Sequence, residues 1–325
     1  MIEFIDLFCG AGGMSFGLVQ AGMCVRLGID SNRQCIATFS RNFPEATAMC
    51  VDVSQLTARQ VLKHVTSRSN LVVAGCPPCQ LFSQLHRSRG PVGPEIKSYL
   101  KLIDELRPIC LVFENVPLIR RYSDAWGLIL KQLTSFGYKI QYKVVCAAEF
   151  GVPQYRKRLL LVAARKYIEI TVPTNRKLQT VRKSIGSMPE ADSSIPNHIT
   201  MKLAPQNLKR IRQTPHDGGT SKQAGKGFDD SYARMFWDKP APTITTRCIS
   251  FSNGRFGHPV FDRAMTVREA AFLQGFPKDF VFEGGVWETA RQVGNAVPPP
   301  IAKAIGEQIL RALVKPSQGR LSKSA

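Results

Sequence analysis

Seven short apolar runs dominate the first 165 residues: Ile2 to Phe8, Val25 to Ile29, Ala46 to Val51, Leu71 to Ala74, Ile109 to Phe113, Lys139 to Cys146 and Leu159 to Ala164. Helical patterns lie between the first six, at Met14 to Ala21, Asn32 to Asn42, Thr57 to Val65, Ser98 to Leu106 and Asp124 to Phe136. Strands alternating with helices at this spacing predict an α/β fold with a doubly wound, mostly parallel sheet. Such a sheet binds ligands outside the carboxyl ends of its strands. The residues at which each run stops are therefore the candidates for chemistry.

The first run stops at a tight turn, Cys9-Gly10-Ala11-Gly12-Gly13, that opens a helix. A glycine-rich turn admits a ligand close to the backbone, and a helix N-terminus favours negative charge. The glycine spacing departs from the dinucleotide fingerprint, so a dinucleotide site fits poorly. The second run stops at Asp30 and the third at Asp52. An acid after the second strand is placed to take a ribose hydroxyl pair. The alternative is that both acids cap the helices that follow.

The fourth run leads into Gly75-Cys76-Pro77-Pro78-Cys79-Gln80-Leu81-Phe82-Ser83. A thiol held at the end of a strand by a rigid turn is a candidate nucleophile. The same two cysteines could form a redox pair. Half a zinc site is a third reading, but no second Cys-x-x-Cys exists. Spacing does not choose among these. The fifth run ends in Glu114-Asn115, where a carboxyl beside the nucleophile's strand is a general acid or base candidate and otherwise a surface glutamate. Gln154-Tyr155-Arg156-Lys157-Arg158 follows, and alternation puts Arg156 and Arg158 on one face. The competing reading is a solvated basic edge.

After Arg165 the alternation breaks. Residues 166–264 are rich in Pro, Gly, Ser, Lys and Arg, which predicts a second, smaller domain. Residues 265–314 resume helical patterns as a return segment, and 315–325 form a polar, basic tail expected to be disordered. Among 325 residues, Lys+Arg number 44 and Asp+Glu 24, a formal charge of +20 that points to a polyanionic partner. Nine cysteines, mostly inside apolar runs, suit a reducing compartment better than a disulfide framework. The first residues lack the basic n-region of a signal peptide, and no apolar run approaches the ~20 residues of a membrane span. A soluble, cytoplasmic protein is expected.

Taken together the motifs resemble the cytosine-5 DNA methyltransferase family, of the compact bacterial restriction–modification type. Phe4-x-Asp6-Leu7-Phe8-Cys9-Gly10-Ala11-Gly12-Gly13 is similar to its cofactor loop, and Gly75-x-Pro77-Pro78-Cys79-Gln80-x-Phe82-Ser83 to its nucleophile motif. Glu114-Asn115-Val116 and Gln154-x-Arg156-x-Arg158 match the next two motifs. Thr266 to Pro277 and Gly294-Asn295-Ala296-Val297-Pro298-Pro299 match the last two. Six motifs in one order carry more weight than any one of them.

The resemblance implies a Rossmann-like catalytic domain at 1–165, a target-recognition domain at 166–264 and a return segment that completes the first. It implies methylation of carbon 5 of cytosine in a specific double-stranded DNA sequence, with S-adenosylmethionine as cofactor and no metal. Cys79 would add to the ring, Glu114 would protonate it, and Arg158, with Arg156 nearby, would hold the base's carbonyl oxygen. Phe8, Gly10, Gly12, Gly13, Asp30, Asp52, Val53, Pro77, Asn295 and Val297 would form the cofactor site. Gln80, Ser83, Arg87, Arg89, Thr245 and Arg247 would meet DNA, from which the target base is flipped out at a few kcal/mol. A separately acting restriction endonuclease and a monomeric state are further expectations. The rival readings are a tRNA methyltransferase sharing the motifs and a catalytically inactive DNA-binding protein.

Overall fold

A computed structural model describes residues 1–77, 94–173, 177–221 and 231–314. Its seven strands are β1 (Glu3–Leu7), β2 (Cys24–Asp30), β3 (Thr47–Cys50), β4 (Leu71–Gly75), β5 (Cys110–Asn115), β6 (Lys139–Cys146) and β7 (Lys157–Ala164). They form one sheet in the order β3-β2-β1-β4-β5-β7-β6. The first five run parallel, and β7 is antiparallel to both β5 and β6. The direction of winding reverses between β1 and β4, and a crevice at that switch point is where such sheets receive ligands.

The helices are α1 (Gly13–Gln20), α2 (Arg33–Asn42), α3 (Ala58–Leu62), α4 (Pro94–Leu106), α5 (Ser123–Ser135), α6 (Val181–Ile185), α7 (Pro205–Arg212), α8 (Val267–Gln274), α9 (Val286–Asn295) and α10 (Pro299–Val314). Side-chain alternation along the central strands divides the core in two. Phe4, Val72, Ala74, Cys110 and Val112 face one side, which α1, α8, α9 and α10 cover. Ile5, Leu7, Val73, Leu111 and Phe113 face the other, covered by α4 and α5. Strands buried on both faces need apolar side chains throughout, which is why these runs stand out in the sequence.

Two helices depart from the expectation. α4 begins at Pro94 rather than Ser98, with a proline where a missing N–H matters least. α9 was not anticipated, because Gly284 and Gly285 precede it and Gly294 interrupts its last turn. The stretch 166–264, expected as a separate domain, contributes Val181, Ile185, Met235, Ile244 and Cys248 to the first core cluster. Its own cluster is small, built on Ile211, Phe251 and Ala264. The tail expected at 315–325 lies outside the described residues. No helix among the described residues is long and apolar enough to cross a membrane.

Candidate active site

The turn after β1 is built on left-handed backbone. Phe8, Gly10 and Gly12 have φ of 61°, 54° and 91°. The amide of Cys9 donates to the Ile29 carbonyl at 2.9 Å and that of Gly12 to Cys9 at 2.8 Å, which ties the turn to the end of β2. Asp30 reinforces this: Oδ2 accepts from the Gly10 amide at 2.9 Å and Oδ1 from the Asn32 amide at 2.8 Å. A Cβ at Gly10 would meet nothing within 4 Å, whereas one at Gly13 would lie 2.4 Å from the Val297 carbonyl oxygen. Gly10 therefore borders open space, and Gly13 is a packing contact with the return segment. Beneath the turn, Asp6 is fully buried and its Oδ2 accepts from Ser15 Oγ at 2.6 Å. Asp6 Oδ1 has no hydrogen-bond partner among the described residues. Burial pushes this carboxyl up to about 7, with the Ser15 hydroxyl pulling the other way.

The chain leaving β4 is pinned on both sides. The Cys76 amide donates to the Leu7 carbonyl at 3.3 Å. Asn115 Nδ2 donates to the Pro77 carbonyl at 3.2 Å, while its Oδ1 accepts from the Val116 amide at 2.9 Å. Next to it Glu114, the last residue but one of its strand, is buried, with Arg158 Nε 2.9 Å from Glu114 Oε1. Burial raises the Glu114 carboxyl above its ordinary value, and the guanidinium groups of Arg158 and Arg156 oppose that rise. A carboxyl so placed can hold or release a proton nearer neutrality than a surface glutamate, with a cation beside it to bind a carbonyl oxygen.

A family model described as C-5 cytosine-specific DNA methylase matches residues 2–311. The chain belongs to that family. It is a DNA (cytosine-5) methyltransferase, and as such requires a methyl donor. A Type II methylase from Herpetosiphon aurantiacus, M.HgiDII, is 36% identical over 95% of both chains. The Type II methyltransferase M1.HphI from Haemophilus parahaemolyticus is 33% identical, covering 95% of this chain and 87% of its own. Among solved structures, a DNA modification methyltransferase encoded within an Escherichia coli prophage superposes with a TM-score of 0.78 at 25% identity, covering 97% of this chain and all of the other. Schizosaccharomyces pombe Dnmt2 shares the fold, with a TM-score of 0.69 at 18% identity over 96% and 99% of the two chains.

The methylase brings seven of its expected site residues to one edge of the sheet. Phe8, Gly10, Gly12, Asp30 and Pro77 surround the ends of β1, β2 and β4, and Glu114 and Arg158 stand beside them. Cys79, Gln80, Ser83, Arg87 and Arg89 lie outside the described residues. Asp52 behaves as the cap reading anticipated: Oδ1 accepts from the Ser54 amide at 2.7 Å, and Val53 beside it is buried in the core. Asp30 does not cap its helix, since Asn32 fills that place. Val297 is buried against Gly13 and Asn295 is exposed. Thr245 and Arg247 are exposed together on the turn that follows Ile244.

Arg156, expected near Arg158 at the base, is held by backbone carbonyls: Nη1 donates to the Ile244 carbonyl at 2.8 Å, and Nη2 to Gly294 at 2.9 Å and Ala296 at 3.2 Å. Three buried carbonyls engage both of its terminal nitrogens, so in this structure it is a clamp between segments distant in sequence. Gln154 joins it, accepting from the Ile244 amide at 2.8 Å and donating to the Leu273 carbonyl at 3.1 Å. Gln274 completes the node with bonds to the Val293 and Ala296 carbonyls at 2.9 and 3.1 Å. The sequence motifs include Asp6, Gln154 and Gln274 without giving them a role, and Ser15 lies outside them. A polar residue inside an otherwise apolar pattern was the signal available.

Proposed function

We propose that this methylase takes its methyl group from S-adenosylmethionine and uses Cys79 as a transient covalent nucleophile on a flipped-out cytosine in duplex DNA. The observation that carries the reading is that Asp6, Gly10, Asp30 and Pro77 at the switch point share one edge of the sheet with Glu114 and Arg158 on the strands beside it. The cofactor fits this end chemically. Gly10 opens onto space, Asp30 stands at the end of β2, and Asp6 lies buried beneath the turn. Phe8, Gly10, Gly12 and Gly13 with Asp30, Asp52, Val53, Pro77, Asn295 and Val297 are the proposed cofactor residues.

Carbon 5 of cytosine is too poor a nucleophile to accept a methyl group unaided. In the proposed sequence the Cys79 thiolate adds to carbon 6 while Glu114 gives a proton to ring nitrogen 3. Arg158 holds the carbonyl oxygen and keeps Glu114 in place. The resulting enamine at carbon 5 takes the methyl group that the bound sulfonium cofactor supplies. Loss of the carbon-5 proton to a base, departure of the thiolate and return of the nitrogen-3 proton to Glu114 then restore the neutral aromatic ring and the free enzyme. Asn115 anchors the segment that leads to Cys79, and Arg156 acts as a positioning residue.

Residues 166–264 are proposed as the target-recognition domain, with 265–314 completing the catalytic domain. Thr245 and Arg247 are its phosphate contacts, and Gln80, Ser83, Arg87 and Arg89 approach DNA from the catalytic side. Phosphate contacts set register, and base contacts set sequence. The charge of +20 supports a polyanionic substrate. We further propose a monomer that acts in the bacterial cytoplasm, at the nucleoid, beside a separate cognate endonuclease.

The deciding experiment is transfer of label from S-adenosylmethionine to duplex DNA and to tRNA, with wild type beside Cys79→Ser. Label at carbon 5 of cytosine in DNA, lost in the variant, is expected. Label in tRNA alone, or label in DNA retained by the variant, overturns the reading.

A further inference from the structure

The turn proposed to meet DNA and the loop proposed to hold the cofactor share one wall, the segment Gly294–Val297. On one side a Cβ at Gly294 would lie 2.4 Å from the Thr245 carbonyl carbon and 2.5 Å from the Thr246 nitrogen. On the other, a Cβ at Gly13 would lie 2.4 Å from the Val297 carbonyl oxygen and 3.2 Å from the Ala296 methyl group. At both contacts the nearest atoms are backbone, with the Ala296 methyl and the Phe276 ring each 3.2 Å away beside Gly13. Nothing soft separates the two surfaces, and a close-packed interior transmits a displacement rather than absorbing it.

The wall is held by the buried node already described. Arg156 bonds to Ile244 on the turn's side and to Gly294 and Ala296 on the wall itself. Gln274 holds Val293 and Ala296, and Gln154 fixes the Ile244 amide. The turn is also tied to the segment just before the strand that carries Arg158, since Thr243 Oγ1 donates to the Tyr155 carbonyl at 2.7 Å.

We propose that Arg156, with Gln154 and Gln274, makes Gly294–Val297 a mechanical link between the cofactor loop and the turn Thr243–Arg247, so that occupancy of the cofactor site orders the DNA-facing turn. The inference rests on the proposed functions of those two surfaces. Linkage makes the effect reciprocal: DNA on the turn strengthens cofactor binding by the same factor.

The test is hydrogen exchange of the full chain with and without S-adenosylhomocysteine, which needs no knowledge of the target sequence. In wild type, exchange is expected to slow in peptides covering residues 8–15 and 294–298, and by roughly fivefold or more in those covering 243–250, the low end of coupling between sites. In Arg156→Lys, which loses the two-pronged fork, slowing at 8–15 should persist while that at 243–250 is lost. Gln274→Leu should weaken the same transmission and serves if the arginine variant does not fold. Slowing confined to 8–15 and 294–298 in wild type overturns the link while leaving the cofactor site intact. Undiminished slowing at 243–250 in a folded Arg156→Lys overturns the role of the node. Absence of any slowing overturns the cofactor reading and the inference with it.

Discussion

Arg158 Nε stands 2.9 Å from Glu114 Oε1, and the two side chains are only 15% and 9% exposed. They sit on adjacent antiparallel strands, with Asn115 opposite Leu159, so the pairing is fixed by sheet register rather than by flexible reach. A buried charge left without its partner is strongly destabilising, whereas removing both partners is often tolerated. Arg158→Met is therefore expected to lower unfolding free energy by about 3 kcal/mol. The double variant Glu114→Gln/Arg158→Met should recover part of that loss. Denaturant titration of the set checks this, and a double variant no more stable than Arg158→Met would contradict it.

Glu114→Gln alone keeps the shape of the side chain but removes the transferable proton. Turnover should fall roughly 10²- to 10⁴-fold, the usual range for a general acid or base. S-adenosylhomocysteine affinity, read by calorimetry, should hardly change. A turnover loss under tenfold would remove Glu114 from the proton-transfer step.

Asn115 joins the end of β5 to Pro77, two residues before Cys79. Asn115→Ala leaves the buried Pro77 carbonyl without this donor, at about 1–3 kcal/mol. Because the segment it anchors leads to the nucleophile and supplies only Pro77 to the proposed cofactor site, turnover should drop by more than cofactor affinity. Equal losses in both, in a variant that still melts cooperatively, would place Asn115 elsewhere in the mechanism.

Much of this was legible in the sequence because strands buried on both faces leave unbroken apolar runs. Leu71 to Ala74 and Ile109 to Phe113 show this most clearly, and the residues where they stop are where the sheet's ligand edge lies. What escaped was long-range polar pairing. Nothing near Arg156 in sequence tells that its partners are Ile244, Gly294 and Ala296, about 90 to 140 positions away. Adjacent motif arginines look alike in one dimension, and only the path of the return segment separates a clamp from a partner of Glu114. α9 was missed for a local reason, since glycines at both of its ends mask a short amphipathic pattern.

Two glycines of one loop should fail differently. Gly10 has a φ of 54° and open space before it, so Gly10→Ala adds about 1–2 kcal/mol of left-handed strain and intrudes on the proposed cofactor side. Gly13→Ala drives a methyl group into the Val297 carbonyl, a backbone neighbour that cannot swing aside. Thermal melting without ligand should show Gly13→Ala as the less stable variant. Calorimetry with S-adenosylhomocysteine should show Gly10→Ala losing affinity out of proportion to its stability loss. The reverse order in melting would mean that the return segment packs less tightly on α1 than this contact requires.

Asp6 gives the chain a pH dependence that can be assigned to one residue. Its carboxyl rises from an ordinary 3.8 to about 7 on burial, so the native state binds a proton more tightly than the unfolded chain between those values. Unfolding in that window releases a proton, and stability must fall as pH rises through it. Below about pH 4 the contribution is fully present, and above about pH 7 it is lost. The span corresponds to a change on the order of 4 kcal/mol. Asp6→Asn keeps the shape and cannot ionise, so the stability difference between wild type and variant should shift against wild type from pH 4 to 7 and then level off. Chemical denaturation at half-unit steps checks it. Parallel curves across the window would mean that Asp6 is already ionised in the folded protein, held there by a cation or water bound at Oδ1.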